Sequence, residues 1–107
     1  MDFSLTLDVS PPDVFVRPCG ELDVFSAHQL SRDLHDAVDE GCRRVLLDLA
    51  DVTFVDAGAL GVLDRLRTQM AELGGSLVVV DWSPRFLQVC RMAGLDRTFE
   101  LAEPMPA

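Results

Sequence analysis

Residues 45–63, VLLDLADVTFVDAGALGVL, carry the pattern that decides the fold. Val45-Leu46-Leu47-Asp48-Leu49 is a near-continuous apolar run, which suits a central strand covered on both faces. An acidic turn follows, and then a corner, Asp56-Ala57-Gly58-Ala59, built from one carboxylate and three small residues. Leu60, Leu63, Leu66, Met70 and Leu73 recur at helical spacing until Gly74-Gly75 closes the helix. Asp56 thus stands where a carboxylate caps free N–H groups and meets the positive end of the helix dipole. Small residues at a helix start let another backbone come close, and they also suit helix–sheet packing. No Ser or Thr occurs from Phe54 to Arg67, so the corner contains no nucleophile.

Downstream of this segment, Leu77 to Val80 reads as a further strand. Ser83-Pro84 opens a third helix, with serine as cap and proline at the first helical position. Phe86, Val89, Cys90 and Ala93 form its expected inner face, Gly94 its stop, and Thr98 to Leu101 a short last strand. Upstream, Phe3, Leu5, Leu7 and Val9 alternate with polar residues, the pattern of a half-buried strand. Ser10-Pro11-Pro12-Asp13 turns the chain into a second strand, Val14 to Cys19, so the pair reads as an antiparallel hairpin. Pro18 donates no hydrogen bond and belongs at an edge or a strand end. Ser26 and Gln29 have capping-box spacing. Leu30, Leu34, Ala37 and Val38 make one helical stripe that ends at Gly41.

The order is β-β-α-β-α-β-α-β, an α/β fold with a mixed four- to five-stranded sheet packed against helices. Residues 1–102 form one domain on this reading, and 103–107 a loose tail.

Composition narrows the function. The chain has 107 residues, a formal net charge of -9 and 49% hydrophobic residues. It has no lysine, and every cation is an arginine. Such a balance argues against nucleic acid and anionic membrane surfaces as partners. Cys19, Cys42 and Cys90 have no C-x-x-C spacing and are expected as buried thiols in a reducing, cytoplasmic setting. The N-terminal MDFSLTLDV lacks the pattern of a signal peptide, and no apolar run reaches the ~20 residues that span a bilayer. His28 and His35 share the first helix without a third ligand at metal spacing, so they read as surface residues. No phosphate-binding loop, Cys-His pair or Ser-His pair has a local signature. No catalytic, cofactor or metal site is expected.

Two stretches carry a family resemblance. Gly20-Glu21-Leu22-Asp23, followed by Ser26-Ala27 and Leu30, resembles the G-E-L-D approach to the first helix of STAS domains, the family of anti-sigma-factor antagonists. Leu47-Asp48-Leu49, then Asp51 to Asp56 and Leu60-Gly61-Val62-Leu63, resembles that family's second signature, D-L-x-x-V-x-F-x-D-S-[ST]-G-L-G-V-L. The resemblance implies a sheet with helices on one side and action by binding a protein partner, commonly a serine-kinase-type anti-sigma factor. It places the family's phosphorylated serine at Ala57, with Gly58 and Ala59 where the pattern has Ser/Thr and Gly. An alanine methyl cannot take the ~-1.5 to -2 charges of a phosphate.

The expected partner face joins the 20–26 loop to the 53–62 corner: Asp23, Val24, Phe25, Ser26, Asp56, Ala57, Gly58, Ala59, Gly61 and Val62. Leu60 belongs to it by position but to the core by periodicity. Two other roles fit the resemblance, a regulatory subunit of a transporter or stress-signalling assembly and a sensor of nucleotides or other small molecules. An oligomer is compatible with each.

Overall fold

The computed structural model describes residues 3–101; the side chains of residues 100 and 101 and the tail at 103–107 fall outside the description. The strands are β1 (Phe3–Ser10), β2 (Asp13–Leu22), β3 (Arg44–Leu49), β4 (Val52–Val55), β5 (Ser76–Trp82) and β6 (Glu100–Leu101). The helices are α1 (Val24–Asp39), α2 (Ala57–Glu72) and α3 (Pro84–Met92). The α/β class and the element order match the sequence reading, with one refinement. The central run from Arg44 to Val55 is cut at Ala50-Asp51 into β3 and β4. Across the sheet the order is β1-β2-β3-β5-β6, with β4 continuing beside the far end of β2. Among the described residues, only the β1–β2 hairpin is antiparallel.

The two faces of the sheet differ because residue type alternates along each strand. Val14, Val16, Val45, Leu47, Leu49, Leu77 and Val79 are buried under the helices. Phe15, Leu46 and Val78, set side by side in register, lie on the other face and are only half-buried. The expectation that 45–49 is covered on both faces therefore fails at Leu46: helices cover one face alone. On the open face Arg17 lies 5.5 Å from the Phe15 ring centroid and bonds Asp48 at 3.1 Å.

The helix-stripe expectation holds along α1, where Val38 packs half-buried against the core, and on α2 and α3 it holds except at the last residue. Leu30, Leu34 and Ala37 are buried on α1, Leu60, Leu63, Leu66 and Met70 on α2, and Phe86 and Cys90 on α3. Leu73 and Ala93 are C-cap residues and are exposed, because the helix turns away before they reach the core. Gly41, Gly74 and Gly94 end their helices with positive φ, a conformation open to glycine at no steric cost.

β2 reaches Leu22, further than the expected Cys19, so Glu21 and Leu22 of the G-E-L-D segment are strand. Pro18 consequently sits inside a central strand. It is tolerated because pairing with β3 ends at Val16 and pairing with β4 begins at Gly20. The missing N–H falls in the gap between them. Cys42 and Cys90 are buried as expected, whereas Cys19 is exposed on the helix-free face.

Candidate functional site

The corner is assembled by parallel pairing. Glu21 pairs with Phe54 and Leu22 with Val55, so β2 and β4 end side by side. Each then passes through one aspartate into a helix: Leu22-Asp23-Val24 into α1 and Val55-Asp56-Ala57 into α2. Leu22 and Val55 are buried and fix the two aspartates at the same rim.

Both aspartates cap. The Asp56 carboxylate accepts from the Ala59 N–H at 2.8 Å. The Asp23 carboxylate accepts from the Ser26 N–H at 2.9 Å, and the Ser26 hydroxyl accepts from the Asp23 N–H at 2.9 Å. The capping box of α1 is thus Asp23 with Ser26, not Ser26 with Gln29. Three residues earlier than expected, the helix begins where the strand ends, and Ser26 is its third residue. The Ser26 hydroxyl also donates to the Glu21 carbonyl at 3.0 Å, which ties the strand end to the first turn. The Ser26 backbone N–H, joined by the Ser26 hydroxyl, holds the Asp23 carboxyl below the usual aspartate value.

Three kinds of position result among the ten expected face residues. Ser26, Ala59 and Val62 are buried, as is Leu60, so their side chains serve the protein's own core. The first turns of both helices pack inward on one side, which removes every third or fourth residue from the surface. Phe25 is 80% exposed, and Ala57, Gly58 and Gly61 are exposed. Asp23, Val24 and Asp56 are half-buried. A β-carbon on Gly58 would stand 3.3 Å from the Val24 β-carbon, so the two helix starts touch there.

The rim also holds residues that the sequence reading did not select. Phe54 is exposed beside Glu21, and Asp51 accepts the Gly20 N–H through its carbonyl at 3.0 Å. Glu21, Asp23, Asp51 and Asp56 stand in segments 20–26 and 50–62 without a single arginine. The signal for this grouping is the parallel alignment of two strand ends, which no local motif encodes. What the arrangement offers chemically is an acidic rim, two exposed aromatic rings and a glycine- and alanine-lined helix start.

His28 and His35 are exposed on α1. Among the described residues no group of three or more His, Cys, Asp and Glu could hold a metal ion. No helix among them is long and apolar enough to cross a membrane. A cavity of about 190 Å³, lined by Arg67, Ala71, Gly75, Ser76, Leu77 and Thr98, opens near the start of β5, where Arg67 is already bonded to Asp64 at 2.9 Å.

Comparison with known proteins places the chain. A family model described as STAS domain matches residues 4–105. The chain is 30% identical over 88 residues to the BtrV protein of Bordetella bronchiseptica, covering 82% of this chain and 76% of the relative. It is 26% identical to the anti-sigma-B factor antagonist of Bacillus subtilis, over 95% of this chain and 93% of that one. The solved structure of the anti-sigma factor antagonist SpoIIAA in its unphosphorylated form has the same fold, with a TM-score of 0.75 at 23% identity, covering 94% of this chain and 89% of that one.

Proposed function

The chain belongs to the STAS domain family, and on that premise we propose that it is a non-catalytic, cytoplasmic binding module of the anti-sigma-factor-antagonist kind. Its partner is a serine-kinase-type anti-sigma factor, held at the rim formed by Asp23, Val24, Phe25, Asp56, Ala57, Gly58 and Gly61. The observation that carries this reading is Phe25. A phenylalanine 80% exposed beside two capped helix starts is the kind of aromatic anchor that fills a partner's pocket. The surrounding carboxylates complement a basic partner surface and would speed encounter at low salt. Ala57, exposed at the first position of α2, takes no phosphate, so binding is not switched there.

Calorimetric titration against the cognate kinase, with and without ATP, tests the reading. Wild type binds in both conditions and incorporates no phosphate. Phe25→Asp abolishes binding while the thermal melt stays in place, because that ring contacts little of the core. Ala57→Ser gains ATP-dependent phosphate and then weakens binding, provided the corner lies at the kinase site. Undiminished binding of Phe25→Asp would move the interface elsewhere. Incorporation of phosphate into wild-type protein at residues 53–68 would remove the unswitched reading.

A further inference from the structure

β1 is an outer strand of 8 residues, and among the described residues its only strand partner is β2. The direction of its free backbone groups follows from one bond. The Gly20 N–H donates to the Asp51 carbonyl, away from β1, and Gly20 stands opposite Phe3. Phe3 therefore belongs to a non-hydrogen-bonded pair, and by alternation Phe3, Leu5, Leu7 and Val9 turn their N–H and C=O groups outward. The same four residues are the apolar ones. Phe3, Leu5 and Leu7 are half-buried against the core margin, and Val9 is 39% exposed. The strand has no lysine, proline or bulge, three devices that blunt an edge, and its one charge, Asp8, alternates onto the open face away from the apolar residues.

We infer that this edge pairs with the same edge of a second copy of the chain, antiparallel about a two-fold axis at Thr6. Among the described residues, that register alone engages all four outward-facing residues. Leu5 meets Leu7 of the second copy, and Phe3 meets Val9, so apolar side chains extend the helix-side layer. On the open face Ser4 meets Asp8 and Thr6 meets its own copy, so no like charges stand opposite. A shift by one residue would set apolar against polar positions along the whole strand. Centring on Asp8 would oppose two carboxylates. The result is one continuous sheet with all helices on one side. β4 lies on the other side of β2, so the acidic rim remains free. Each chain carries a formal net charge of -9, so the copies repel at long range and salt tightens the pair.

Sedimentation equilibrium of the full chain tests the inference. Wild type forms a dimer that strengthens as salt rises. Thr6→Asp opposes two carboxylates at the axis and raises the dissociation constant about tenfold or more. Its thermal melt is preserved, because Thr6 is exposed and faces Arg17 across the hairpin. Register is read by cross-linking in a Cys19→Ser background. Thr6→Cys forms a covalent dimer under mild oxidation, since Cα atoms in a non-hydrogen-bonded pair lie about 4.5 Å apart, within disulfide range. Ser4→Cys does not, because it faces Asp8. A chain that stays monomeric up to millimolar concentration at high salt overturns the inference. So does a dimer indifferent to Thr6→Asp, or equal cross-linking at residues 4 and 6.

Discussion

Leu22 and Val55 face each other at the ends of β2 and β4, both buried, and each immediately precedes an aspartate that caps a helix. This pairing turns two distant sequence segments into one surface. It makes the rim a rigid object, because each cap is fixed by a strand behind it and a helix in front. The carboxylates do structural work and face outward at the same time. Asp56→Ala would cost about 1 kcal/mol of stability as a lost cap, whatever it does to a partner.

The small residues at the start of α2 separate packing from docking. A β-carbon at Gly61 would meet nothing within 4 Å, and the residue lies inside the helix. Gly61→Ala is therefore expected to stabilise the domain by about 1 kcal/mol, raising Tm by roughly 4–8 °C. If Gly61 is small to admit a partner, the same substitution weakens partner binding. At Gly58 the added β-carbon would crowd Val24 at 3.3 Å and the Asp56 carboxylate at 3.4 Å, so the propensity gain is offset and Tm stays near wild type. Thermal melts and titration calorimetry on the two variants read both effects.

Acid stability should depend on two aspartates. The Ser26 backbone N–H lowers the Asp23 pKa, and the Arg44 guanidinium, bonded at 2.7 and 2.8 Å, lowers that of Asp13. Both groups start from 3.8 in the unfolded chain. With the folded values depressed, their contribution is full above the unfolded pKa and is lost as pH falls through the folded pKa. Urea unfolding should give stability that is level on this account from neutral pH to about pH 5 and falls below about pH 4. The double variant Asp13→Asn/Asp23→Asn should lose less over that acid interval than wild type.

Helix and strand identities were legible because apolar residues recur at 3.6 and 2.0 spacing, and the caps Asp56 and Ser83 stand at the residues the pattern selects. The α1 cap was misplaced because Ser26 has the same chemistry as a cap but is used as the third residue of a box begun by Asp23. Leu46 looked like a doubly covered residue because one apolar side chain does not report which layer covers it. Which residues of the candidate surface reach solvent was legible in part. Phe25, Ala57 and Gly58 reach the surface, whereas Ser26, Ala59 and Val62 turn inward with the helix phase. Phe54 and Glu21 join the rim through strand pairing between segments 30 or so residues apart, a long-range register that local periodicity does not contain.

The three cysteines should divide by accessibility. Cys19 is exposed on the open sheet face, whereas Cys42 and Cys90 are buried. Burial, with a contribution from Asp96, pushes the Cys90 thiol up to about 11, and burial also raises that of Cys42. Since the thiolate is the nucleophile, iodoacetamide at pH 8 should alkylate Cys19 alone in the native protein. Mass spectrometry should find all three modified only after denaturation. Native labelling of Cys90 at the rate of Cys19 would contradict its place on the buried face of α3.

The paired glycines after α2 look alike in sequence and should behave differently. Gly74 has a φ of 76° with open space around a β-carbon, so Gly74→Ala carries only the left-handed backbone cost of about 1–2 kcal/mol. At Gly75 a β-carbon would run into the Arg43 carbonyl oxygen, and that oxygen is the acceptor for the Ser76 N–H at 2.9 Å. The bond opens the parallel pairing of β3 and β5 at Arg44 and Ser76. No side-chain rotation relieves a collision with backbone, so the strand start must move and the ladder with it. Gly75→Ala should therefore cost about 2–3 kcal/mol or more, exceeding Gly74→Ala despite its ordinary φ. Chemical denaturation of the two variants side by side checks the order. A larger loss at Gly74 would mean that backbone conformation, not the approach of β3, is what requires glycine at this turn.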